Sequence, residues 1–174
     1  EVLFGDYNPA GRLPVTFPKS VGQLPLYYNS LPFGPQQYTD IDREPLFVFG
    51  HGLSYTTFEY SNLTITPPET GIFGTVAVSV DVKNTGDRAG DEVVQLYVND
   101  VVSSVVRPLK ELKGFKRIHL QSGANQTVSF RLGFDELKLL NRDWKWVVEP
   151  GDFEVMVGGS STTSVEGRFR LVGG

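Results

Sequence analysis

Cysteine is missing altogether, which excludes a disulfide framework and any thiolate metal site. Histidine is scarce: His51 and His119 are the only two in 174 residues, and with no thiol beside them they do not make a zinc site. No run of basic residues occurs and the formal charge is only −4, so nucleic acid is not an expected partner. No apolar run approaches the roughly 18–20 residues that cross a bilayer as a helix, so no membrane partner is expected either. An initiating methionine is absent too. Glu1 opens the chain, and no charged segment leads into an apolar core and a small-residue cleavage site. The expectation is a piece of a longer protein whose address signal lies elsewhere. Helical periodicity is almost absent, with only Phe134–Leu140 (FDELKLL) suggesting a turn or two.

What is present divides near residue 60. Residues 1–60 hold seven of the 11 prolines and 12 of the 19 Phe and Tyr side chains. Proline removes backbone donors and fixes φ, so this part cannot be central sheet. Disordered segments are poor in aromatics, and this one is rich in them. It reads as an extended, irregular arm that needs a surface to lie against.

Residues 61–174 alternate. Val76, Val78, Val80 and Val82 interleave with Thr75, Ala77, Ser79, Asp81 and Lys83, the period of two that marks a strand with one buried face. Val94, Leu96 and Val98 repeat it, with Val93 and Tyr97 opposite. Val128, Phe130 and Leu132 follow, then Trp144, Trp146 and Val148, then Phe153, Val155 and Val157, then Val165, Phe169 and Leu171. A further strand is expected over Tyr60–Thr66. Turn chemistry separates them at Asn84–Asp87 and Ser122–Asn125, and Pro150-Gly151 predicts a type II turn. The predicted fold is all-β: an antiparallel immunoglobulin-like or fibronectin type III-like sandwich of about seven strands, preceded by the Pro- and aromatic-rich arm.

Chemistry is sparse. The segment Pro45–Tyr60, PLFVFGHGLSYTTFEY, sets Phe47, Phe49, His51, Tyr55 and Phe58 close together, with His51 between two glycines. Lacking partner ligands, His51 reads as structural, the glycines marking a tight backbone turn, and the five rings read as interdomain packing. His119 falls in a strand or at its edge. The cluster Asp40-Ile41-Asp42-Arg43-Glu44 suits a solvated loop. Its Asp40 and Asp42, with Phe33 and Tyr38, are the candidates for sugar contacts at the rim of a cleft. Asp91-Glu92, Asp135-Glu136, Glu149 and Asp152 sit at strand starts or turns, where acidic residues are ordinary. Asp143 is expected to end a turn and Trp144 to be core. The serines lack a G-x-S-x-G elbow, and Gly158-Gly159 leads into no helix, so neither nucleophile nor phosphate cradle is expected. Asn62-Leu63-Thr64 and Asn125-Gln126-Thr127 match the glycosylation sequon.

Five ordered blocks carry a resemblance: VLFGDYNPAGRLPVTFP (Val2–Pro18), PLFVFGHGLSYTTFEYSNL, VKNTGDRAGDEVVQLYV, RPLKELKGFKRIHLQSG and VEPGDFEVMVGGSS. In that order they resemble the C-terminal part of glycoside hydrolase family 3 enzymes, closest in character to the β-glucosidase and β-xylosidase types. The resemblance implies that residues 1–18 end a preceding α/β domain, 19–58 form an interdomain strap, and 59–174 form a fibronectin type III-like domain. It implies a parent enzyme that is a retaining, exo-acting β-glycosidase, often periplasmic or secreted. The family's nucleophile, an Asp in an S-D-W motif on the barrel, and its Glu acid/base on the α/β domain have no counterpart here. Arg142-Asp143-Trp144 only imitates the first. No catalytic residue, cofactor or metal is therefore expected in this chain. The partners it implies are the upstream barrel and α/β domains and, through them, an oligosaccharide; pairing with another copy stays open. Two other readings stand beside this one: a carbohydrate-binding module using Tyr27, Tyr28, Phe33 and Tyr38, and a structural or adhesive sandwich with no catalytic partner.

Overall fold

The computed structural model describes residues 1–32, 42–162 and 165–173. The alternating segments become ten strands: β1 (Phe58–Thr66), β2 (Glu69–Gly71), β3 (Val76–Asn84), β4 (Gly90–Asp100), β5 (Glu111–Leu120), β6 (Asn125–Leu132), β7 (Leu139–Leu140), β8 (Trp146–Val147), β9 (Gly151–Gly158) and β10 (Val165–Val172). One four-residue helix, α1 (Phe134–Leu137), fills the place where FDELKLL breaks the alternation. A three-stranded sheet in the order β1-β3-β6 faces a five-stranded sheet in the order β2-β10-β9-β4-β5, and β7 pairs with β8 as a separate hairpin. All pairings are antiparallel except that of β2 with β10, so the expected all-antiparallel sandwich carries one parallel edge.

Period-two patterning builds the core between the sheets. Val76, Val78, Val80 and Val82 from β3 meet Val94, Leu96 and Val98 from β4, and Phe153 stacks on Phe169 at 5.1 Å between ring centroids. The opposite face of β4 is buried as well. Gln95 and Tyr97 lie there, under the arm. Among its described residues the arm has two single-turn 3-10 segments, Val2–Phe4 and Val21–Gln23, and one isolated bridge joining Phe17 to Phe47.

Two local expectations are overturned. Trp144 is not core: it is 83 % exposed, because the WKWVV run is cut to a two-residue strand and Trp144 stands in the preceding turn with φ of 59°. Pro150-Gly151 forms no type II turn. Gly151 lacks the positive φ such a turn requires and instead opens β9, pairing with Leu171.

The outer face of the three-stranded sheet is polar. On it the Thr127 hydroxyl donates to Asp81 at 2.5 Å, and the Asn62 amide donates to the same carboxylate at 3.0 Å. These two donors, Thr127 first, hold the Asp81 pKa below its ordinary 3.8. A depressed carboxylate contributes stability that is present above its unfolded value and lost as pH falls through the native one. Asp81→Asn should therefore flatten the acid limb of a thermal-melting profile below pH 3.8 while changing little at neutral pH. An unchanged acid limb would show that Asp81 carries none of it.

Candidate functional site

Two carboxylates that lie close together, Asp100 and Glu111, are both paired with Arg107. The sandwich presents a set of buried polar contacts that fasten the arm to one edge, centred on the FGHG turn. Gly50 has φ of 79° and is buried, and a Cβ added there would lie 2.2 Å from Gln95 Oε1. A side chain is excluded because Gln95 fills that space. Its amide donates to the carbonyls of Gly50 (3.4 Å) and Gly159 (2.6 Å), and its Oε1 accepts the Tyr97 hydroxyl at 2.5 Å. The turn's backbone is fixed on its other side too: Gly50 N–H donates to Leu13 O and Leu13 N–H to His51 O.

Gly52 clears a second passage. A Cβ there would stand 2.3 Å from Gly11 O and 2.7 Å from Arg12 Nη1. Through this gap the Arg12 guanidinium reaches Glu92 on β4, Nη2 to Oε2 2.5 Å, with the two side chains 11 % and 5 % exposed. The Tyr60 hydroxyl donates to the other carboxylate oxygen at 2.8 Å. Gly159 completes the niche, since a Cβ there would come within 2.7 Å of Glu92 Oε1. Burial pushes the Glu92 pKa up, opposed by Arg12 and by the Tyr60 hydrogen bond. Burial, and then the nearby Glu92 charge, pushes the Tyr60 pKa up as well. A cavity of about 260 Å³ remains beside the pair, lined by His51, Ser54, Thr56 and Phe58 among others.

Asn8 makes a third fastening. Its amide donates to Ala89 O, and its Oδ1 accepts from the Ser54 hydroxyl and the Tyr55 N–H. Buried Asn84 anchors the same region by accepting the Thr56 hydroxyl and donating to Arg88 O and Leu120 O.

The residues singled out in the sequence separate accordingly. Phe58 packs against the core, and Phe49 stacks on Tyr28 at 4.1 Å between centroids, with Tyr97 edge-on to Tyr28 at 6.0 Å. His51 stacks on Phe47 at 5.0 Å, while Phe47 and Tyr55 stay exposed. Tyr28 is thus occupied, and Tyr27 is exposed at a groove of about 810 Å³. Asp42 is engaged by Lys19 Nζ at 2.7 Å and caps Glu44 N–H, while the amide of buried Gln23 donates to the Asp42 and Glu44 carbonyls. Asp42 is therefore part of a neck that holds two stretches of the arm together. Phe33, Tyr38 and Asp40 lie outside the described residues. His119 is on edge strand β5 and contacts Asp91 at 2.5 Å. No group of three or more metal-ligating side chains occurs among the described residues.

Sequence reasoning missed Arg12, Glu92 and Gln95. A signal existed for two of them. Glu92 is in phase with Val94, Leu96 and Val98, and Gln95 is in phase with Tyr97. A polar residue set in phase with buried positions announces a buried partner.

A model of the glycosyl hydrolase family 3 C-terminal domain matches residues 1–55, and one of the fibronectin type III-like domain matches residues 92–161. A periplasmic β-glucosidase of Salmonella typhimurium is 45% identical across 99% of this chain, which covers 24% of that protein. A β-xylosidase of Formosa agariphila is 54% identical across 92% of the chain, covering 23% of its own length. Among solved structures, a β-glucosidase from Listeria innocua in complex with glucose superposes with a TM-score of 0.90 at 39% identity, over 96% of this chain and 25% of that one. The chain spans about a quarter of the length of the curated relatives it matches.

Proposed function

The chain belongs to the C-terminal part of the glycosyl hydrolase family 3 proteins, and from that premise we propose that it is the non-catalytic brace of a retaining, exo-acting β-glycosidase. The parent enzyme removes terminal glucose or xylose from β-linked oligosaccharides and works in the periplasm or outside the cell. Residues 1–18 end the preceding α/β domain, 19–58 are the strap, and 59–174 are the supporting sandwich. One observation carries this reading: the arm is fastened to the sandwich through Arg12, Asn8 and the Tyr28–Phe49 stack, yet leaves other large apolar side chains outward. Leu3 and Phe4 are 89 % and 87 % exposed, and Val21, Leu53, Phe47 and Tyr55 are exposed with them. On a chain that spans a quarter of its relatives, that face suits the upstream catalytic portion.

The test compares the isolated chain with the complete parent on nitrophenyl β-glucoside and β-xyloside. The expected result is hydrolysis by the parent and none by the chain. Turnover by the chain alone would refute the brace, and a parent inert on every β-glycoside would refute the glycosidase.

A further inference from the structure

The chain contains only two tryptophans, and both stand at one tip of the sandwich. Trp144 is 83 % exposed and Trp146 is 59 % exposed, the reverse of the burial usual for this side chain. Neither is loosely held. The hairpin root is locked by buried Leu137, Leu139 and Val148. At its tip the Asn141 Oδ1 accepts the N–H groups of both Asp143 and Lys145 at 3.0 Å, and Trp144 N–H donates to Asn141 O at 3.1 Å. This cage holds Trp144 at φ 59°, a left-handed conformation that large L side chains rarely adopt. Lys138 Nζ lies 5.4 Å from the Trp146 ring centroid and is paired with Asp135. The Arg142 and Lys145 side chains are exposed and form no ion pair among the described residues. This strained mount displays two indoles beside two cationic donors that form no ion pair among the described residues.

We propose that this tip is a glycan-stacking site. Trp144 and Trp146 pack against the apolar faces of sugar rings in a β-linked glucan or xylan chain, and Arg142 and Lys145 donate hydrogen bonds to its hydroxyls. The identity of the ligand rests on the proposed glycosidase reading. The geometry of the tip does not. The site has no part in bond cleavage; it holds a longer chain near the enzyme.

The two tryptophans make their own reporter, because all intrinsic indole fluorescence of this chain comes from the tip. Titration of the chain with cellohexaose and with xylohexaose should give a saturable change in emission for at least one of them. Affinity electrophoresis should show retardation in a β-glucan or xylan gel. Gel retardation should vanish in the Trp144→Ala/Trp146→Ala variant, and the emission change should vanish in Arg142→Ala/Lys145→Ala, which keeps both indoles. The thermal melt of each variant should match the original, since the altered side chains are exposed. Unchanged emission with unretarded migration overturns the proposal, and so does retardation that survives loss of both indoles. The same gels run on the complete parent should show the same dependence on the two tryptophans. A parent that hydrolyses β-glycosides yet migrates unretarded sinks this inference and leaves the glycosidase standing.

Discussion

Glu92→Ala is expected to lower the stability of the chain by about 3–5 kcal/mol, because it strands the Arg12 guanidinium in a buried niche with no counter-charge. The size of the effect comes from the orphaned partner rather than from the pair's attraction. An Arg12→Met/Glu92→Leu double variant should accordingly recover most of the loss, and the coupling read from the full cycle should be large. Urea denaturation measures both. Trypsin gives a second readout, since the Arg12 bond should become cleavable when the latch opens. A loss below about 1 kcal/mol would mean that the pair behaves like a surface bridge. The pH dependence has a definite sign. Burial raises the Glu92 pKa, so the native state takes up its proton before the unfolded chain does. Its contribution to stability therefore increases as pH falls through the raised value and levels off below the ordinary 4.5. Glu92→Ala should erase that component from the profile.

Gly50→Ala is the second large effect. The substituted residue must hold φ of 79°, which costs about 1–2 kcal/mol for a residue with a Cβ. The new carbon would also meet Gln95 Oε1 at 2.2 Å and Nε2 at 2.8 Å. Gln95 cannot step aside freely, because it is 3 % exposed and satisfies Tyr97 and Gly159. Leaving such groups unpaired adds about 1–3 kcal/mol, for roughly 2–5 kcal/mol in all. Gly11→Ala is the control, since nothing lies within 4 Å of a Cβ there and the melt should barely move. Equal melting of both variants would show that the arm yields without disturbing the sandwich. In the proposed parent glycosidase, the same substitution should loosen the proposed strap and reduce thermal resistance of activity before it alters substrate affinity.

The sandwich was legible because alternation leaves little choice. A strand such as Val76–Asn84, apolar at every second position, must bury that face, and a slip of one residue would expose all four valines. Trp144 was misread for a related reason. Alternation places a side chain on a face only within the strand, and the Asn141 cage delays the strand's start to Trp146. The acidic residues were harder. Asp91 and Glu92 are adjacent and chemically alike, yet half-buried Asp91 pairs with Arg117 and His119 while Glu92 is sealed under Arg12 and Tyr60. Asp42 is engaged by Lys19 from 23 residues away, a pairing no local pattern shows.

Periodicity and composition already specify the two-sheet core and the irregular arm, because both are local properties that burial acts on directly. Why glycines flank His51, which carboxylate is buried and that both tryptophans face water follow from packing in three dimensions alone. Each of those turns on the space left by residues distant in the chain — Gln95 against Gly50, Arg12 beside Gly52, Asn141 beneath Trp144 — and occupied volume is not written in any one segment.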